Sequence, residues 1–230
     1  KSYDGGPGPN PVLPKKPGLN RFVWDLSYPG LPGAPTAYIE GSFRGRRAAP
    51  GKYTLTLVTP AATKEAAVEI LPNPNYSFTA AQEQQYQQVL GRMEGAFTRM
   101  HTLLNKLYSK QQQLSDLIEK LKQQNTNAAL IDDAKALLGR LQAWDEDMVQ
   151  RKSKAYDDVE NFPNKFTANY LFMINQAQHD LPVITQPLLQ REAELNTQWQ
   201  GLQQRAQQLL EGDIPAFNKK LYEAGVGAIW

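Results

Sequence analysis

The chain has no cysteine and only two histidines, His101 and His179. Without cysteine there can be no disulfides and no thiolate metal sites, and the redox compartment stays open. Neither histidine belongs to a His-x-x-x-His or Glu-x-x-His spacing. Clustered imidazoles, rather than solitary ones, mark metal and catalytic sites. His101 is expected on the polar flank of a helix and His179 near an exposed crossover. Long apolar runs are also missing, so no transmembrane helix is expected. The opening Lys-Ser-Tyr-Asp-Gly-Gly is not a secretory leader, although a mature or excised chain would look the same. Charge of one sign is scarce too. The net charge is +2, without the concentrated basic face of a nucleic-acid binder, so no nucleic-acid partner is expected. The densest basic spot, Arg44, Arg46 and Arg47, reads as a solvated loop.

Catalytic constellations are equally scarce. A nucleophilic triad needs an activated Ser, Cys or Thr beside a base, and no such base is at hand. The Gly-rich beginning lacks the Gly-x-x-x-x-Gly-Lys phosphate-loop spacing. Two acidic groups, Asp145, Glu146 and Asp147 around Trp144, then Asp157, Asp158 and Glu160, could in principle supply paired carboxylates for glycoside chemistry. Beside Trp144 and Met148 on a helix seam they read instead as solvated surface. No catalytic, cofactor-binding or metal-binding residue is assigned, and no cofactor is expected.

What is present is architecture. The 230 residues are 41% hydrophobic and 21% charged, enough for a real core. Residues 1–18 are rich in Gly, Pro and Lys and read as an extended linker. Residues 19–75 carry strand signals. Phe22, Trp24, Leu26 and Tyr28 alternate onto one face of 19–28, a short apolar piece covers 37–43, and Tyr53, Leu55 and Leu57 alternate along 52–59. A turn around 60–64 pairs this last run with 65–71 as a hairpin. Three or four short strands make a thin sheet, whereas an immunoglobulin sandwich needs about seven. The segment is therefore expected to be a partial Ig-like sandwich, incomplete, with an unfilled edge.

Residues 76–230 are expected to form a long antiparallel three-helix bundle. Thr79 and Gln82 have capping-box spacing. From Tyr86, apolar residues then recur in steps of four and three through Leu90, Met93, Phe97, Met100, Leu104, Leu107, Leu114, Ile118 and Leu121, interrupted only by Gln111. Asn125-Thr126-Asn127 is expected to end this helix and cap the next. The second helix continues the pattern from Leu130 to Val159, with Trp144 in its seam and Arg151 at an apolar position. A crossover over 162–187 contains a short helix. A third helix from Leu188 carries Trp199 and stops near Gly212-Asp213, and a last helical piece follows over 215–224. Trp24 is expected on the apolar strand face, and Trp230 docks or dangles. Because the seams look internally complete, residues 78–230 are expected to fold alone.

Three stretches also carry a resemblance: Lys16-Pro17-Gly18-Leu19-Asn20-Arg21-Phe22-Val23-Trp24-Asp25-Leu26, Ala49-Pro50-Gly51-Lys52-Tyr53-Thr54-Leu55-Thr56-Leu57, and Asp213-Ile214-Pro215-Ala216-Phe217-Asn218-Lys219-Lys220-Leu221-Tyr222-Glu223-Ala224-Gly225-Val226. In this order they resemble the C-terminal region of large bacterial proteins with sortilin-like, BNR/Asp-box propellers, often labelled glycosyl hydrolases. The resemblance runs from about residue 16 across essentially the rest of the chain. It implies a secreted, periplasmic or cell-surface parent with its β-propeller upstream of Lys1. It further implies a non-catalytic accessory role in assembly or partner contacts. No Asp-box repeat occurs in this chain, so no propeller residue is carried over. Two rival expectations are a fragment of a carbohydrate-active or glycan-binding protein, and a coiled-coil scaffold that self-associates.

Overall fold

The structure, a computed structural model, describes residues 6–9, 11–123, 128–178 and 182–229. It is mixed α+β and mostly helical. Strands β1 (Gly51–Val58) and β2 (Thr63–Ile70) precede helices α1 (Ala80–Gln123), α2 (Ala128–Met148), α3 (Phe166–Ala177), α4 (Gln186–Gln207) and α5 (Ile214–Glu223). The sheet is a two-stranded antiparallel hairpin in which Tyr53 faces Val68 and Leu55 faces Ala66.

Helix α1 begins at the expected capping box. Thr79 Oγ1 accepts from the Gln82 amide at 3.2 Å, and Gln82 Oε1 accepts from the Thr79 amide at 2.8 Å. Over its 44 residues every seam position from Tyr86 to Leu121 is buried. Gln111 sits in that seam because its Nε2 donates to the Leu141 carbonyl of α2 at 3.2 Å, so the interruption carries its own compensation. The α1–α2 connection expected at Asn125-Thr126-Asn127 lies outside the described residues, as do His179 and Trp230.

Three boundaries differ from the sequence reading. First, α2 ends at Met148 rather than near Val159. Its last carbonyl, that of Met148, is taken by Thr167 Oγ1 at 2.8 Å, and the chain after it is committed to long-range contacts that a helix would not allow. Second, the crossover helix α3 is part of the core: Tyr170, Leu171 and Ile174 are fully buried and α3 packs on α1, α2 and α4. Third, Gly212-Asp213 does not stop the third helix. The chain passes through a wide π turn at Gln208–Asp213, where the Ile214 amide reaches the Leu209 carbonyl, and continues as α5. A proline in a regular helix lacks its N–H and collides with the carbonyl four residues back. The widened turn is where the helix accommodates Pro215. Beyond α5, Asn218 pairs with both the N–H and the C=O of Ile229 at 3.0 Å, folding the tail back.

The largest departure is N-terminal. The strands expected over 19–28 and 37–43 do not form; the single bridge between Ser27 and Arg47 is all the ladder that region makes outside the hairpin among the described residues. Residues 26–48 instead form a tongue that runs out along the helices and returns. Its two arms are tied by Ala48 N–H to Leu26 C=O, Tyr28 N–H to Arg46 C=O and Leu31 N–H to Phe43 C=O at 2.8, 2.9 and 2.6 Å. Leu31, Ala34, Ala37, Ile39 and Phe43 are buried and join the core of the helices. The tongue is not a sheet because its outward backbone groups are claimed by helix side chains. Asn175 of α3 accepts from Ser42 N–H and donates to Ser42 C=O at 2.7 and 2.8 Å, and Asn105 of α1 donates to Gly33 C=O at 3.1 Å. Gly41 has φ +149°, and a Cβ there would lie 2.9 Å from Leu171 and Asn175, so only glycine lets the return arm sit this close to α3.

Candidate functional site: the tongue seat and the open hairpin

Glu94, His101, Asn105 and Tyr108 follow one another by seven, four and three residues, so they share one stripe of α1. This stripe lies beside the apolar seam, and the tongue covers it. At the tongue's root, Glu94 is buried and accepts from the Arg46 backbone N–H at 2.6 Å and from its guanidinium at 2.5 Å. Arg46 also donates to Gln87 at 3.0 Å and lies 3.8 Å over the Tyr28 ring. The expectation of a solvated loop therefore fails for Arg46. Arg44 and Arg47 are exposed, with Arg44 paired to Asp25 at 2.8 Å. The difference arises because the tongue brings only Arg46 over a carboxylate that the helix has already removed from water.

At the tongue's tip a second arginine does similar work. Arg151, expected as a flaw in the α2 seam, grips Asp145 with two bonds at 2.5 and 2.7 Å. It also donates to the Pro35 carbonyl at 2.6 Å and lies 3.7 Å over the Tyr108 ring. Lys154 donates to the Thr36 carbonyl, and Tyr38 N–H to the Ser153 carbonyl. The Asp145 side chain is only 4% exposed, which corrects the reading of all three carboxylates near Trp144 as surface. Glu146 is exposed, and Asp147 pairs with Arg205 at a half-exposed site. Asp158 accepts from the Lys154 and Ala155 amides and holds a short 3-10 turn, while Asp157 and Glu160 face solvent. Both buried carboxylates of this region, Glu94 and Asp145, are thus bound by arginine, an arrangement suited to holding a segment.

His101 lies between the two clamps. It is 0% exposed, not on a polar flank, and its ring stacks 4.1 Å from that of Phe97. Neither Nδ1 nor Nε2 has a hydrogen-bond partner, and Asn105 Oδ1, one turn further on, is also buried and unpaired. Burial pushes the imidazole down to about 4, with the Gly33 carbonyl acting in the opposite sense. Sequence spacing could not reveal this, because the tongue that buries His101 is about 70 residues away along the chain and has no helical period of its own.

The tryptophans divide as follows. Trp144 is fully buried and donates to the Leu202 carbonyl at 2.8 Å, and Trp199 stacks on Phe166 at 6.0 Å. Trp24 is half-buried, with its ring edge-on to Tyr53 at 6.2 Å, in a loop rather than a strand.

The hairpin is the opposite of the tongue. Tyr53, Leu55 and Leu57 share one face with their cross-strand neighbours Val68 and Ala66, yet Leu55 is 48% and Leu57 52% exposed. Neither outer edge of the hairpin is paired among the described residues. An open groove of about 900 Å³ adjoins its base, lined by Ala49, Pro50, Pro72, Tyr76, Phe78 and Gln84 among others. Among the described residues no group of three or more potential metal ligands gathers, and no helix is long and apolar enough to cross a membrane. The chain matches no family model, no curated protein and no solved structure.

Proposed function

We propose that this chain is a non-catalytic accessory module of a secreted or cell-surface bacterial protein of the sortilin-like, BNR/Asp-box propeller kind, and that it acts by docking to protein. In this reading the helical part, an elongated bundle, is a rigid support. The hairpin is the nucleus of an Ig-like sheet completed in trans, by the propeller part of the same parent or by a separate chain. The observation that carries the reading is the hairpin itself: a half-exposed apolar face with two edges that no strand among the described residues pairs. A two-stranded sheet with an exposed apolar face is marginal in water, and free edges accept further strands. The resemblance of residues 16–26, 49–57 and 213–226 supplies the kind of parent.

The test is a calorimetric titration of the full chain with the upstream propeller region of its parent, using wild type and the double variant Leu55→Lys/Leu57→Lys. Binding by wild type that the double variant loses is the expected result. Equal binding by both, or none by either, would overturn the docking role of the hairpin. Hydrolysis or retention of a polysaccharide by the chain would favour the carbohydrate-active alternative instead.

A further inference from the structure

The tongue is held to the helices by polar clamps at its two ends, while its middle covers the one buried imidazole of the described residues. We propose that residues 26–48 form an acid-released latch: protonation of His101 lifts the tongue from α1 while the helices remain folded. A protonated imidazole has two N–H donors and a positive charge, and both need partners or water. Here neither nitrogen has a partner in the closed state. The Gly33 carbonyl, which favours the charged ring, makes no hydrogen bond to either nitrogen and accepts from Asn105 instead.

The surrounding titratable groups offer no rescue. On α1, Glu94 is held by Arg46, and Tyr108 bonds Thr36 at 3.1 Å. On α2, Asp145 is held by Arg151. Tyr170 of α3 stacks against Phe97, on which His101 also lies. On the tongue, Glu40, Arg44 and Arg47 face solvent, and Lys154 beyond α2 is turned to the Thr36 carbonyl. Burial lowers the imidazole, and the Gly33 carbonyl acts in the opposite sense.

The tongue is the wall that can move. His101, Phe97 and Asn105 are fixed on one long helix, whereas the tongue contains no helix or strand and is hydrogen-bonded to the helices by side chains such as Asn105, Asn175 and Glu94. Its own three cross-arm bonds survive if it lifts as a unit. Segments with few backbone bonds to the rest of a fold open at lower free energy than helices do. Release would expose Leu31, Ile39 and Phe43, and the Phe97 surface against which Phe43 packs at 6.4 Å. The latch therefore hides an apolar surface distinct from the hairpin face.

Hydrogen exchange of the full chain, read by mass spectrometry at pH 7 and pH 5 and corrected for intrinsic exchange, tests this. With the imidazole near 4 when covered and near 6.5 when free, linkage makes tongue opening about twenty-fold more frequent at pH 5 than at pH 7. We expect residues 31–46 to lose that protection while amides of α1 between Met100 and Leu114 keep theirs. In His101→Leu the tongue should keep its protection at pH 5. Unchanged tongue protection in wild type, equal losses in tongue and α1, or the same acid loss in His101→Leu would each overturn the latch. If His101→Leu does not fold, NMR titration of wild type decides. The latch requires His101 to titrate well below 6.5 in step with the loss of tongue signals, and a normal titration or an uncoupled one refutes it.

Discussion

Arg151→Ala removes the hub of the tongue's tip, and its cost can be worked from the contacts. The substitution leaves Asp145 charged, buried and without its two charge-assisted bonds; breaking a buried pair in this way costs about 3–5 kcal/mol. The Pro35 carbonyl loses its donor, and the contact with the Tyr108 ring, about 0.5–1 kcal/mol where exposed, goes too. These contributions overlap, so the pair sets the scale: about 4 kcal/mol, a large share of the ~5–15 kcal/mol of a typical fold. For a chain of this size that corresponds to a fall in Tm of roughly 8–16 °C. Urea unfolding and calorimetry measure it directly. A double-mutant cycle with Asp145→Asn separates the pair from the rest, because the second substitution should cost much less once Arg151 is gone. A loss under about 1 kcal/mol, or fully additive single costs, would refute the claim that this pair holds the tip.

Glu94→Gln should loosen the tongue's root, costing about 2–4 kcal/mol by leaving Arg46 short of its buried counter-charge, and should raise proteolytic cleavage within residues 26–48 at pH 7. Gly45→Ala drives a Cβ into the Pro29 carbonyl across the tongue and should cost about 1–3 kcal/mol, read as a lower urea midpoint. Global stability should fall in acid on account of His101. Its imidazole is lowered when folded, so the contribution is complete above pH 6.5 and is lost as pH falls towards 4, up to about 3 kcal/mol, a slope that His101→Leu should remove in unfolding titrations across that range. A fragment of residues 78–230 should be less stable than the full chain, because it uncovers Glu94, His101 and Phe97. Equal stability by calorimetry would show the tongue to be a passive cover.

Much of the helical part was legible because it depends on local chemistry. A period of four and three identifies a buried seam whatever packs on it, and every expected seam position of α1 is buried. Thr79 and Gln82 cap as their spacing requires. The alternation in 52–59 and the turn after it were enough for the hairpin. The same rules misled where long-range partners override local preference. Arg151 looks like an interruption of a heptad and instead lies beyond the end of α2, where it binds Asp145 of that helix. Gly212 looks like a helix stop, and the chain instead passes through a π turn whose hydrogen bond reaches one residue further back, ahead of Pro215.

The sequence by itself therefore determined the seam of α1, its capping box and the hairpin, since each follows from residue types a few positions apart. Only the tertiary structure decided that residues 26–48 leave the sheet and become part of the helical core. Their backbone groups find Asn105, Asn175, Glu94 and Ser153, residues 48 to 133 positions away, and no local pattern records such partners. That choice then buries Glu94, His101 and Asp145 and turns a basic loop and a broken heptad into clamps. It also leaves Leu55 and Leu57 of the hairpin half-exposed, because residues 37–43, which could have extended the sheet, are laid on the helices instead.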